Sequence, residues 1–307
     1  MEYLSNKIQS LLDHRDELLQ SSLRPASPMF PIAAEYPIVL ARDASNLSLG
    51  LIEDQHVIAH ANLWPRVLTD QKQSVNVGLI GNVATQSERR GGGLMRQLLE
   101  DITQEATAKG LAALFLWSDL SQFYQKMGFQ SCGQEIRITL QKSAAQRFQA
   151  LKPQRTRQFF PISADKLTAS DLRVMLNSRP SGIATLLRSV EEFKQLLSIP
   201  MTNVLRDQTG HFVIMGKGYD MAGVIHEWGM EQPSTLVEAC LDIFTITALD
   251  AITILLPSTH EHWTSSFKTM GAEISKHPVM LAKILDAKKM KSLLDSKKLF
   301  IWGLDSI

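Results

Sequence analysis

The stretch best equipped for chemistry is Arg89-Arg90-Gly91-Gly92-Gly93, followed by Leu94 and Met95. At the start of a helix the first backbone N–H groups have no intrahelical partner, and the helix dipole puts partial positive charge there. Glycines remove the side chains that would keep a ligand away from those N–H groups, and two arginines add charge beside them. Such a loop suits an anionic group of the phosphate type. A glycine cluster by itself can equally be a tight turn, so the flanking sequence has to decide.

Val75 to Thr85, rich in β-branched and small residues, reads as a strand. Gln86 to Arg90 is a polar turn. From Leu94 the period changes: Leu94, Met95, Leu98, Leu99, Ile102 and Ala106 share one helical face, with Arg96, Gln97, Glu100, Asp101 and Gln104 opposite. Lys109 and Gly110 end that helix. Ala112 to Trp117 is continuously apolar, as expected of a strand covered on both faces. Strand, glycine turn, helix and strand form a βαβ unit.

This segment resembles the acyl-CoA site of the GNAT N-acetyltransferases, which carry Arg/Gln-x-x-Gly-x-Gly/Ala between their fourth strand and the next helix. Arg90 and Gly93 match, and Met95 replaces the usual small last residue, as in the tandem-domain, Eis-like members. A second motif, Tyr124-Gln125-Lys126-Met127-Gly128-Phe129, matches the family's Tyr-x-Lys-x-Gly-Phe in full. The resemblance covers residues 37 to 140. It implies acetyl-CoA as cofactor, its pyrophosphate on the amides of Arg89 to Met95. It also implies that the strand end Val83, Ala84 and Thr85 pairs with the pantetheine arm. Tyr124 would be the general acid beside the thiol, protonated at neutral pH and so able to donate. Ser118, at the carboxyl end of its strand where α/β sites form, is placed with the cofactor residues.

Trp64 and Arg66 end an earlier strand, in the region that in this family lies toward the acceptor; a half-exposed strand-end Trp is an equal reading. Asp119 is an acceptor-side acid or a helix N-cap. His56 and His60 share a strand face, but no further ligands stand at metal-site spacing, so they are read as structural and no metal is expected. The strand Val75 to Thr85 offers Asn76 and Asn82 but no carboxylate, so the general base is not evident.

At 307 residues the chain can hold two domains. A net charge of +1 gives no bulk electrostatic argument for nucleic acid or membrane, and no apolar run has transmembrane length. Cys132 and Cys240, the only cysteines, fit a reducing cytoplasm rather than a disulfide framework. The start Met-Glu-Tyr-Leu-Ser-Asn-Lys has no secretory pattern, so a cytoplasmic location is expected.

Apolar positions from Leu4 to Leu19 predict an opening helix, and the proline-rich Ser21 to Pro37 an extended connector. Ile38–Ala41, Leu47–Glu53 and His56–Trp64 are expected strands, and Phe129 should begin another through about Leu140. Ser143 to Pro161 is polar and carries prolines, which puts the domain boundary there. Residues 1–36 are then a helix and connector, 37–145 a GNAT domain and 155–307 a second domain. Helices are expected at Asp165–Asn177 and Glu191–Leu197, Ser189 capping the latter.

In the second half the order of elements repeats: strands to Trp228, a helix opened by Pro233, the strand Ala251–Leu256, and a short helix closed by Gly271. Glu231 to Ser234 stand where the glycines stood, and Phe267 where Tyr124 stood. A degenerate GNAT-like copy follows, one that binds no CoA. His226 and Glu227, beside Trp228, belong either to the acceptor pocket or to an interdomain hydrogen-bond network. Some tandem GNAT enzymes are thought to bring a C-terminal carboxylate to the site, which makes Ile307 a further candidate. No sterol-carrier-like third domain follows, so aminoglycoside specificity is not carried over. The fold class expected is therefore α/β with mixed sheets, a tandem GNAT-like acyl-CoA N-acyltransferase fold. The function expected is transfer of an acetyl group from acetyl-CoA to a primary amine of a small molecule or peptide, by direct attack in a ternary complex. The alternative is a non-catalytic acyl-CoA sensor. No nucleic-acid or membrane partner is expected.

Overall fold

The periodicities become elements as follows. The structure, a computed structural model, describes residues 2–3, 9–26, 29–44, 46–151, 154–291, 293 and 297–307. In chain order, β1 (Glu2–Tyr3), α1 (Gln9–Leu23) and α2 (Ile32–Glu35) precede β2 (Leu47–Glu53), β3 (His56–Thr69) and β4 (Ser74–Thr85). Then come α3 (Leu94–Ala108), β5 (Ala113–Leu116), α4 (Ser121–Gln125), β6 (Gln130–Cys132), β7 (Glu135–Gln141) and α5 (Lys142–Leu151). The second half holds β8 (Phe160–Ile162), α6 (Ala169–Asn177), β9 (Thr185–Leu186), α7 (Val190–Leu197), β10 (Asn203–Arg206), β11 (Phe212–Met215), β12 (Val224–Gly229), α8 (Pro233–Ile246), β13 (Ala251–Pro257) and α9 (Thr264–Thr269). It ends with β14 (Glu273–His277), β15 (Met280–Ile284) and α10 (Ala287–Met290).

Two compact units result: residues 1–132, 280–294 and 306–307 form one, and 133–279 with 295–305 the other. The first sheet runs β1-β2-β3-β4-β5-β15-β6. Its core is one apolar cluster in which Leu98, Leu99, Ile102 and Ala106 of α3 meet Ala59, Ala61 and Leu63 of β3, Ile80 of β4, and Leu114 and Leu116 of β5. Burying a side chain of this size stabilises the fold by roughly 1.5–3 kcal/mol. The second sheet runs β14-β7-β13-β12-β11-β10-β8.

The sequential boundary expected near Ser143 is not the one observed. Gly133, at φ 70°, breaks the strand expected from Phe129 to Leu140. Beyond it, β7 pairs antiparallel with β13 from Gln141–Ala251 to Glu135–Pro257, inside the second unit. Conversely β15, from late in the chain, lies between β5 and β6 in the first sheet. Each sheet thus takes its next-to-edge strand from the other half of the sequence. Strand composition cannot reveal such an exchange, because Ile136, Ile138 and Leu140 bury equally well beside any apolar neighbour.

Smaller corrections follow the same logic. Ile38–Ala41 is a turn, with Val39 and Leu40 buried, rather than a strand. The polar segment after Ser143 is helical as α5, and α1 and α2 occupy much of the expected connector. The opening helix is found over Gln9–Leu23, with Leu11, Leu12, Leu18 and Leu19 buried; Leu4 and Ile8 lie outside the described residues. α7 is capped by Ser189 as expected, through a capping box with Glu192. α6 starts later than Asp165, capped by Thr168.

Candidate active site

The site grows from a defect in β4. Its parallel pairing with β5 is confined to Gly78–Leu114 and Leu79–Phe115, whereas β4 continues to Thr85. Beyond Leu79 no strand among the described residues pairs with the edge of β4 that faced β5. On its other side, Asn62 of β3 faces Gly81 and His60 faces Ala84, so Asn82 and Val83 together oppose Ala61. This is a β-bulge, and Asn82 takes the left-handed conformation (φ 49°) its first residue needs. The extra residue shifts the phase of the strand, and Val83 packs on the same apolar cluster as Ile80. Ala84 is buried and Thr85 half-buried.

The chain then turns through Ser87–Arg89 into the glycines. Gly91 and Gly93 have φ of 82° and 79°, and no atom lies within 4 Å of where a Cβ would stand at either. Gly93 is the N-cap of α3 without side-chain capping, and the first helical bond runs from the Gln97 N–H to the Gly93 carbonyl, 3.1 Å. The loop is thus open around Gly91 and Gly93, and no side chain caps the start of α3. Leu94 and Met95 are half-buried against the core cluster, so Met95 turns inward instead of crowding the loop. Arg90 is exposed, its Nε donating to the Thr85 carbonyl at 3.3 Å. The exposed Arg89 guanidinium is ion-paired with Glu53. Beside α3, a cleft of about 220 Å³ is lined by Arg96, Leu99, Glu100, Lys126, Phe129 and Lys283. Lys283 reaches it from β15 and could not be placed there from the sequence.

Tyr124 on α4 is buried in that cluster, edge-on to Phe123 (5.1 Å) and Phe129 (5.8 Å). Burial raises the phenol pKa, and a hydrogen bond with Ser118 opposes this more weakly. The phenol is therefore held in its protonated form. Ser118 Oγ also accepts the Leu120 N–H at 3.0 Å. Ser118 thus positions Tyr124 and the start of α4. Asp119 is exposed and does not cap α4, whose N-cap position falls on Leu120.

On the acceptor side, Trp64 and Arg66 are both buried, with the guanidinium 4.3 Å over the indole. They pair with Leu79 and Val77, next to the part of β4 that precedes the bulge. Ile307 belongs to this same unit, and its main-chain carbonyl lies against Gly81. His226 and Glu227 belong to the second unit and are fully buried. Glu227 receives both hydrogen bonds of an Arg188 nitrogen at 2.8 Å, and Arg188 also clamps Asp305 through two 2.8 Å bonds. The expected interdomain network is thus internal to one unit. His226 Nε2 donates to the Gly216 carbonyl at 2.9 Å, and burial lowers its pKa to about 4. His56 is exposed and stacks on His14, whereas His60 is buried. Among the described residues no group of three or more His, Cys, Asp or Glu is placed to hold a metal. Nor is any helix among them long and apolar enough to cross a membrane.

The second unit repeats the arrangement without the chemistry. β12 and β13 pair in parallel at Val224–Thr253 and Ile225–Ile254, joined by α8, and a bulge follows on β12. But α8 begins with Gln232 and Pro233, with no glycine, and buried Phe267 on α9 has no hydroxyl. Pro233 lacks an N–H to offer an anion.

Residues 32–132 match the family model described as an acetyltransferase (GNAT) domain. No curated protein sequence matches the chain. Among solved structures it is similar to a probable N-acyltransferase from Enterococcus faecalis V583, at a TM-score of 0.70 and 14% identity over 94% of this chain and 72% of that one. A GCN5-related N-acetyltransferase from Anabaena variabilis ATCC 29413 gives 0.67 and 15%, over 94% and 74%. Eis1 from Mycobacterium abscessus gives 0.62 and 11%, over 93% and 75%. The chain therefore has the GNAT acyltransferase fold. The family match lies on the segment that carries the strand edge left by β5 and the glycine loop.

Proposed function

We propose that the protein is an N-acetyltransferase that moves an acetyl group from acetyl-CoA to a primary amine. The observation that carries this reading is the open edge of β4 running directly into a bare, uncapped helix start. The open edge offers main-chain groups to a pantetheine arm, and the loop amides from Gly91 to Met95, with Arg90, suit its pyrophosphate. Lys126, Lys283 and Arg96 around the α3 cleft suit the phosphorylated nucleotide end. The neutral amine attacks the thioester carbonyl carbon, and the Val83 N–H stabilises the tetrahedral oxyanion. The C–S bond then breaks, and the thiolate takes its proton from Tyr124. The proton lost by the amine passes to water. The second unit, which has neither a glycine loop before α8 nor a tyrosine where Phe267 stands, is a degenerate copy that binds no CoA.

Calorimetry with CoA and acetyl-CoA tests the binding, and thiol release across polyamines, amino acids, aminoglycosides and peptides tests the transfer. Absence of binding heat at millimolar acetyl-CoA would sink the proposal. Binding without thiol release on any amine would convert it to an acyl-CoA sensor.

A further inference from the structure

We infer that His60 and Asn62, backed by Ser48 and Asn46, are positioning residues that hold Asn82 in its left-handed conformation and so keep the β4 bulge aimed at the thioester. This rests on the reading of the β4 edge as an acyl-CoA site.

The five side chains form a buried polar ladder across β2, β3 and β4, each of them under 7% exposed. Two branches converge on one residue. In the first, His60 Nδ1 lies 2.9 Å from the Asn82 carbonyl oxygen. A carbonyl only accepts, so Nδ1 carries the proton, Nε2 is a lone pair, and the Ser48 hydroxyl donates to it at 2.8 Å. With one nitrogen donating and the other accepting, the imidazole is neutral, as full burial also demands. In the second branch, Asn46 Nδ2 donates to Asn62 Oδ1 at 3.0 Å, and Asn62 Nδ2 donates to Asn82 Oδ1 at 2.9 Å. The main-chain and side-chain oxygens of Asn82 are thus gripped separately.

The residue so gripped bears two local costs. A left-handed conformation at a non-glycine residue inside a strand is strained. Its Nδ2 is buried with no partner among the described residues. An apolar ladder would serve the sheet without either cost, and a glycine would remove the strain. What the two grips supply is a fixed bulge at the point where β4 has parted from β5. The main chain there must meet a developing oxyanion within a few tenths of an ångström.

The test uses the full chain and begins with wild-type calorimetry on CoA and acetyl-CoA. His60→Leu and Asn62→Leu should leave the CoA Kd within about twofold while thiol release with the best amine of the panel falls about tenfold or more. The preference for acetyl-CoA over CoA should shrink in both, because only the acylated form carries the carbonyl that the Val83 N–H would meet. His60→Gln, which keeps a donor, should recover part of the rate. A second pair guards against misfolded ladder variants: Asn82→Gly accepts the left-handed conformation freely, whereas Asn82→Ala resists it. Both variants lose the Asn62 contact, and alanine, which also resists the conformation, should fall several-fold further than glycine. Equal rates in that pair, or a wild-type rate and acetyl-CoA preference in both leucine variants, overturn the inference. Failure of the wild type to bind CoA would instead strike the earlier proposal, so the two failures are distinct.

Discussion

The main-chain carbonyl of Ile307 lies so close to Gly81 that a Cβ on Gly81 would fall 2.3 Å from its carbon and 2.4 Å from its oxygen. No such contact is sustainable, so Gly81→Ala must push Ile307 aside or shift β4. Gly81 directly precedes the bulge at Asn82, so a shifted β4 should lower kcat by about tenfold or more. The acetyl-CoA Kd should change little, because the loop amides are untouched. Steady-state kinetics beside calorimetry check this, and unimpaired turnover in the variant would mean that the Gly81–Ile307 contact does not hold the bulge in place.

Tyr124→Phe removes only the hydroxyl from a buried ring that packs against Phe123 and Phe129, so folding should be nearly unaffected. Loss of the general acid should lower kcat by about 10²-fold or more with acetyl-CoA affinity unchanged. Because burial raises the phenol pKa, the alkaline limb of the wild-type kcat profile should lie above the ordinary tyrosine value of about 10. Tyr124→Phe should lack that limb.

Gly92 separates a glycine needed for the turn from one needed for a ligand. Unlike Gly91 and Gly93 it has no positive φ, and a Cβ there would meet only the Arg89 carbonyl oxygen at 3.4 Å. Gly92→Ala should therefore keep the wild-type melting temperature. The new methyl would stand over amides meant for a pyrophosphate, so the Kd for both CoA and acetyl-CoA should rise about tenfold or more. A lowered melting temperature with unchanged affinity would make the cluster a turn and nothing else.

Much of the site could be read directly from sequence because its parts are local. Strand, glycine loop and helix lie within Val75 to Ala108, and Tyr124 sits in a six-residue motif. Loop, strand end and phenol do converge on one apolar cluster. What could not be read depends on partners distant in sequence. The pairing of Arg89 with Glu53 crosses from loop to strand and leaves no mark in the local sequence. The bulge at Asn82 has no signature, since asparagine in a strand is merely disfavoured until φ is known. The polar ladder from Ser48 and Asn46 exists only once β2, β3 and β4 are in register. The exchange of β7 and β15 escapes for the same reason.

Arg188 is fully buried between Glu227 and Asp305, all three without exposed side-chain surface. Removing one member leaves a charge in low dielectric, which costs about 3–5 kcal/mol. Arg188→Met should lower the urea midpoint of the protein by a corresponding amount. Glu227→Gln, which keeps the shape but not the charge, should cost less. If Glu227 instead served an acceptor amine, Glu227→Gln would lower kcat without touching the urea midpoint, and the two measurements separate the roles.

Acid should unfold the protein through its buried imidazoles. His60 is held down to a pKa of about 3 and His226 to about 4, in each case chiefly by burial. Both folded values lie below the unfolded value of about 6.5. The unfolded chain therefore binds the extra protons, and the neutral rings contribute stability above about pH 6.5 that is lost as pH falls toward the folded values. Each ring should remove about 2 kcal/mol between neutral pH and about pH 5. His226→Gln keeps a donor for the Gly216 carbonyl but cannot titrate, so its stability should fall less over that interval than that of the wild type. Urea unfolding at the two pH values gives the comparison. An equal acid-induced loss in wild type and variant would mean that His226 is as protonated in the folded protein as in the unfolded chain, contrary to its burial and its single hydrogen bond.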